Sequence, residues 1–216
     1  MEFIWNGERV SFSRYKMMLS LNGDEKRLSV LERHKDILNM DVTYRGHKID
    51  AFVIDLSDEH PVVQLVIDEN RPFNKDIARL GRQANCWKDS YIRNYINSDW
   101  FIGRFNREFA ERIIATTVHT DRYETRDRFF LLSHEEVGFE DRYKQYKDNS
   151  HSRRFDAFDG TINSRVRTVN STALYWWLRS ADTEYRNIVG LVSNVGEVSY
   201  DYVGGYIGCL PVCTIG

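Results

Sequence analysis

The chain has 216 residues, of which 42% are hydrophobic, 13% aromatic and 29% charged, and its 30 Lys and Arg stand against 32 Asp and Glu. That length is ample to bury a core, and the aromatic load disfavours disorder. A formal net charge of -2 gives no overall electrostatic reason to expect nucleic acid or an anionic membrane as the main partner.

No apolar run approaches the roughly 18 residues that span a bilayer. The N-terminal stretch Met1–Val10 lacks a basic region followed by an apolar one, so no secretory signal is expected. Synthesis should end in the cytosol, or in a virion if the chain is phage-encoded. Cys86, Cys209 and Cys213 are an odd set without a Cys-x-x-Cys pair. They read as small buried apolar residues, neither a disulfide framework nor a zinc site.

In chain order, Phe3-Ile4-Trp5, Asn6-Gly7 and Glu8–Phe12 form a hairpin signal, because Asn-Gly supplies the positive φ angles of a type I′ turn. The apolar spacing of Leu28, Leu31, Ile37 and Leu38 after Asn22-Gly23-Asp24 predicts one helix over Asp24–Leu38. Lys48–Leu56 and Val62–Ile67, rich in β-branched residues and separated by a turn-forming cluster, predict two paired strands. Cys86–Asn97 has the pattern of an amphipathic helix, and Phe105–Ile114 that of a second. Arg128–Leu132 reads as a short strand feeding Ser133-His134-Glu135-Glu136, a capping box.

Glu140–Arg154 is polar and poor in aliphatic residues, which predicts a long surface loop. At the C-terminus, Asn187–Ser193, Glu197–Val203 and Tyr206–Ile215 are separated by glycine-containing turns and predict a three-stranded antiparallel meander.

The chemistry-bearing residues show little convergence. The six His have no metalloprotease spacing. Asp156-Ala-Phe-Asp159-Gly160 has its carboxylates three apart and no closing bidentate Glu, so it reads as a turn and not as a calcium loop. Ser133-His134-Glu135 is contiguous and cannot converge as a catalytic triad does. No Gly-rich loop opens a helix to cradle phosphate. Cys209 and Cys213 would share one face of an extended strand, roughly 13 Å apart, too far to bridge. No metal, cofactor or catalytic residue is therefore expected. Tyr175-Trp176-Trp177-Leu178-Arg179-Ser180 reads as a core strand in which Arg179 meets a buried carboxylate or carbonyl.

Five ordered strings carry a resemblance: Trp87–Asn97, Phe130–Glu136, Trp176–Ser180, Val192 with Gly196-Glu197-Val198, and Gly208–Ile215. Together they resemble the bacterial and phage DUF6273 family, from about Gly46 to the C-terminus. Ala181 stands where the family usually has Pro, and Leu210 where it usually has Arg.

The resemblance implies an α+β fold, a C-type-lectin-like domain of the formylglycine-generating-enzyme type, with small antiparallel sheets, two or more helices and long irregular loops. It would occupy residues 46–216. Residues 1–45 would form a hairpin-helix extension able to serve oligomerisation. The related variable proteins of diversity-generating retroelements carry a ligand-binding face that is rewritten at adenines.

Carried over to this chain, that face comprises Asp182, Thr183, Tyr185, Arg186, Asn187, Leu191, Ser193, Asn194, Ser199, Tyr200, Asp201, Tyr202 and Tyr206. Each residue type is reachable from an Asn codon by changing adenines alone. The composition stands apart from the resemblance: Tyr gives large contact area at low entropic cost and Ser, Asn and Asp adapt their hydrogen bonds, as in antibody paratopes. Strand alternation turns half of these side chains inward.

The expected partner is a protein or other macromolecule. The rival readings are a structural phage or surface-assembly component, and an oxidase of the formylglycine-generating type. The oxidase would need a copper-holding cysteine pair, and the resemblance places no such pair at Cys209 and Cys213.

Overall fold

The computed structural model describes residues 1–75, 84–120, 123–139 and 153–216. Most of the loop expected over Glu140–Arg154 lies outside the described residues. The chain is mixed α+β, with two principal sheets, three two-stranded ribbons and short helices.

The N-terminal ribbon forms as the Asn-Gly signal requires. Strands β1 (Glu2–Trp5) and β2 (Glu8–Val10) pair antiparallel around Asn6 at φ 50° and Gly7 at φ 77°, both in the left-handed region that a type I′ turn needs. Phe12 does not extend β2. It opens α1 (Phe12–Leu21), because the Ser11 side chain accepts from Arg14 N and caps a new helix.

The single helix expected over Asp24–Leu38 is two, α2 (Glu25–Arg33) and α3 (Lys35–Leu38), divided at His34. Asp24 caps α2 through Arg27 N at 3.1 Å. A small ribbon, β3 (Thr43–Tyr44) and β4 (His47–Lys48), follows.

The larger sheet has the order β2-β1-β5-β6-β17-β8. Its centre is the expected antiparallel pair β5 (Asp50–Asp55) and β6 (Val62–Val66), with Phe52 opposite Gln64. On one side β1 joins β5 in parallel, Phe3 opposite Val53, so the N-terminal ribbon is an edge of the main sheet. On the other side β17 (Val212–Ile215) pairs with β6, Cys213 opposite Val63, and β8 (Ile113–Ile114) closes the row.

The smaller sheet has the order β15-β14-β13-β16-β7. Its strands are β7 (Asn70–Arg71), β13 (Trp176–Ala181), β14 (Ile188–Val192), β15 (Val198–Tyr202) and β16 (Ile207–Gly208). The C-terminal meander is therefore only half right. Strands β14 and β15 pair as expected, but the third segment divides. Its first part, β16, runs parallel to β13 and antiparallel to β7, and its second part becomes β17 of the other sheet.

Two residues explain the crossing. A Cβ on Gly208 would lie 2.5 Å from Tyr175 O, so only glycine admits β16 this close to the neighbouring backbone. Pro211 has no N–H with which to continue a ladder. Cys209 and Cys213 consequently do not share a strand face.

Two predicted helices shrink. Ser90 caps a helix that begins only at Tyr91, giving α4 (Tyr91–Ile96), with Ser90 Oγ accepting from Arg93 N at 3.2 Å. The segment after it holds α5 (Asp99–Ile102) and α6 (Arg107–Ala110), and Ile113-Ile114, β-branched and with Ile113 buried, goes to the sheet as β8.

Strands β9 (Thr116–His119) and β10 (Glu124–Asp127) form a ribbon, as do β11 (Thr168–Val169) and β12 (Thr172–Ala173). Arg128–Leu132 is extended but forms only one bridge, Phe130 to Val212. The capping box beyond it is complete, with Ser133 N donating to Glu136 Oε2 at 2.8 Å and Glu136 N to Ser133 Oγ at 3.2 Å. It caps a turn and not a helix.

Candidate functional site

The C-terminal face is built outward from β13. Trp176 and Trp177 are fully buried, and their indole N–H groups donate to Arg165 O at 3.2 Å and Arg71 O at 2.8 Å. Trp87, also buried, donates to Asp127 Oδ2 at 3.1 Å. Burial of these rings contributes on the order of 4–6 kcal/mol each at about 25 cal/mol per Å².

Arg179 finds the buried carboxylate its context implied. Its guanidinium grips Glu136 through two contacts of 2.5 and 2.7 Å and also donates to Leu131 O at 2.7 Å. The ion pair is nearly dry, so its geometry fixes β13 against the capping-box turn. Ser180 Oγ accepts from His134 N at 3.0 Å, a second tie between the same elements.

The loop from β13 to β14 carries the first part of the face. Asp182 folds it into a tight turn, its Oδ1 accepting from Glu184 N and Tyr185 N, both at 2.8 Å. Asn85 holds the turn from beneath. Its Nδ2 donates to the carbonyls of Asp182 at 2.9 Å, Tyr185 at 3.1 Å and Ile188 at 3.0 Å, and its backbone N to Arg186 O at 3.1 Å. Thr183, Tyr185, Arg186 and Asn187 consequently point to solvent, and Tyr185 is 62% exposed. No sequence pattern singles out Asn85, since a lone Asn before Cys86 carries no spacing signal.

The β14–β15 hairpin carries the rest. Its register sets Tyr202 opposite Ile188, Tyr200 opposite Gly190 and Ser199 opposite Leu191. Directly opposed residues share a face, so Tyr200 and Tyr202, 63% and 40% exposed, project on one side. Ser199 and Asp201 belong to the side of Val189 and Leu191, and both are half-buried. Tyr206, 68% exposed, stands in the turn before β16. Val203 N donates to Asn187 O at 2.9 Å, which joins the loop to the end of β15 that carries Tyr202.

Three expected contact residues are corrected. Leu191 is 2% exposed because alternation turns it into the core beneath Trp177, its neighbour in register. Asp182 and Ser193 are buried as turn-formers, Ser193 Oγ accepting from Glu197 N at 3.1 Å. Both shape their turns from buried positions. Asn194 lies in the hairpin turn, at the end of β14 remote from Tyr185. Four residues of strand at about 3.3 Å each separate those ends by roughly 13 Å.

On the side of the hairpin that carries Tyr200, opposite Gly190 in register, sits His134. A Cβ on Gly190 would fall 2.3 Å from His134 Nε2, so Gly190 is the space the imidazole occupies. Burial drops the ring's pKa to about 3, which keeps it neutral. The Ser133-His134-Glu135 segment is thus a capping and packing unit, as its contiguity required.

Cys209 and Cys213 are buried, and desolvation pushes both thiols well above their ordinary range, so neither supplies a thiolate. Asp159 Oδ1 accepts from Thr161 N and Oγ1, a local turn. Among the described residues no group of three or more His, Cys, Asp or Glu is placed to hold a metal ion, and no helix is long and apolar enough to cross a membrane.

Comparison with protein families matches residues 62–216 to the model of DUF6273, "Domain of unknown function (DUF6273)". The match begins at Val62, inside the larger sheet, and so later than Gly46. Neither the curated proteins nor the solved structures contain a match to this chain.

Proposed function

Taking as premise that the chain belongs to the DUF6273 family, we propose that it is a ligand-binding protein whose C-terminal face captures a protein or other macromolecule. The observation that carries this reading is the division of the aromatics. Trp87, Trp176 and Trp177 are buried, whereas Tyr185, Tyr200, Tyr202 and Tyr206 are exposed on one loop, one hairpin side and the adjoining turn. Large amphipathic rings held on a rigid frame supply contact area with little entropy to lose on binding.

The C-type-lectin-like fold and diversification by a retroelement belong to the same proposal. Diversification would act on a narrower set than the sequence alone suggests: Thr183, Tyr185, Arg186, Asn187, Asn194, Ser199, Tyr200, Asp201, Tyr202 and Tyr206. The flanking DNA is the test of that part. A near-copy of the 3′ coding segment differing only at adenines, beside a reverse-transcriptase gene, is the expected finding, and its absence leaves a binder of fixed sequence.

The face itself is tested by replacing Tyr185, Tyr200, Tyr202 and Tyr206 together with Ala. The variant should keep its melting temperature to within a few degrees and lose capture of any partner that the unaltered chain selects from a displayed panel. Undiminished capture would move the site elsewhere.

A second reading, a structural assembly component, draws on exposed Met17 and Leu21, one turn apart on α1. The oxidase reading draws nothing from Cys209 and Cys213, which are buried and whose thiol pKa values desolvation raises.

A further inference from the structure

The whole-chain charge of -2 conceals a local separation. On the outer side of α4 and α5, three rings form one continuous row with cations at its two ends and over its middle ring. Lys75 Nζ lies 3.9 Å from the centre of the Tyr91 ring, Tyr91 stacks on Tyr95 at 5.9 Å, Tyr95 meets Trp100 at 5.7 Å, and the Arg104 guanidinium covers one face of Trp100 at 3.5 Å. Arg71 sits over Tyr95 at 4.7 Å.

Arg45 joins the row through Glu69, which also accepts from Tyr44 at 2.8 Å, from Tyr95 at 2.5 Å and from Arg71 at 3.1 Å. Glu69 is buried and holds two of the four cations, Arg45 and Arg71, together with the two tyrosine hydroxyls. Of the other carboxylates described in this stretch, Asp99 is paired with Arg128 at 2.7 Å, while Asp68 and Asp89 are exposed. Trp100 is 54% exposed despite its guanidinium cover.

We propose that this row is a binding surface for single-stranded nucleic acid. The exposed Trp100 ring, set among cations and beside the half-buried Tyr95, suits a single strand, whose bases stack on rings or guanidinium planes while its phosphates meet the neighbouring charges. A purely acidic peptide would use the cations and leave the rings idle. A duplex keeps its bases inside and would gain nothing from Trp100. The row adjoins the Tyr185–Tyr206 face, since Arg71 pairs with Ile207 and Asn74 N donates to Val203 O at 2.8 Å, but it is made of other residues, and the inference does not rest on that face's role.

The test is fluorescence anisotropy of a labelled oligothymidylate of about twelve nucleotides titrated with the full chain at low salt. Saturable binding is expected, with log affinity falling against log salt at a slope of about -2 to -3, as neutralising three or four phosphates requires. Trp100→Ala should weaken it by about five- to a hundredfold. Lys75→Glu should weaken it and flatten the salt slope, both variants retaining the unaltered circular dichroism spectrum. Three results would each overturn the assignment: no binding at low salt, equal affinity for the corresponding duplex or for a polyglutamate of similar length, or affinity indifferent to Trp100→Ala.

Discussion

His134 makes stability depend on pH below neutrality. Its ring is buried against Gly190 and its pKa falls from 6.5 to about 3 through desolvation. A base whose folded pKa is depressed binds protons first in the unfolded state, so its contribution is fully present above about pH 6.5 and is lost progressively as pH falls toward about 3. At about 1.36 kcal/mol per pH unit, lowering the pH from 8 to 5 removes about 2 kcal/mol. With a urea slope of about 2–3 kcal/mol per M, the midpoint should drop by about 0.7–1 M. Urea melts of the unaltered chain and of His134→Asn at pH 8 and 5 measure this. The variant starts less stable, but its midpoint should move far less between the two pH values. His34, whose pKa burial also lowers, and the carboxylates titrate in both proteins and cancel in the comparison. Equal losses in the two proteins would refute a buried, neutral His134.

Arg179→Met leaves Glu136 buried without its cation and should cost about 3–5 kcal/mol of unfolding free energy, whereas adding Glu136→Leu should restore much of it, read from denaturant melts of both variants. Asn85→Ala strips donors from the carbonyls under the 182–188 turn. It should cost about 1–3 kcal/mol and speed amide exchange there, while Tyr185→Ser and Arg186→Thr stay within about 0.5 kcal/mol of the unaltered chain.

Local signals in the sequence were read well where one element decides the outcome. Asn6-Gly7 dictates its own turn, the β-branched runs of β5 and β6 pair across a six-residue connection, and the Trp-rich string with its Arg is a buried strand facing a carboxylate. Readings failed where the outcome depends on residues distant in the chain. Nothing near Phe3 indicates that β1 will meet Val53 in parallel, and Ile113-Ile114 fits a helix until β17 offers an edge. The C-terminal segment divides because Gly208 permits a close backbone approach to Tyr175, a requirement visible only once β13 is in place. For the face, alternation indicated that half the strand residues turn inward. Which half was set by the register with β13, and that register buries Leu191.

The way the 182–188 turn is held bears on what its surface can tolerate. Asn85 reaches backbone carbonyls of Asp182, Tyr185 and Ile188 and makes none of these bonds to a side chain of the face. The one face residue whose side chain shapes the turn is Asp182, which is itself buried. Backbone hydrogen bonds are indifferent to side-chain identity, so the conformation that presents Thr183, Tyr185, Arg186 and Asn187 does not depend on what those residues are. The same holds for Tyr200 and Tyr202, whose strand is fixed by ladder bonds to β14. A surface meant to vary while its frame stays constant needs this separation between the atoms that hold and the atoms that contact.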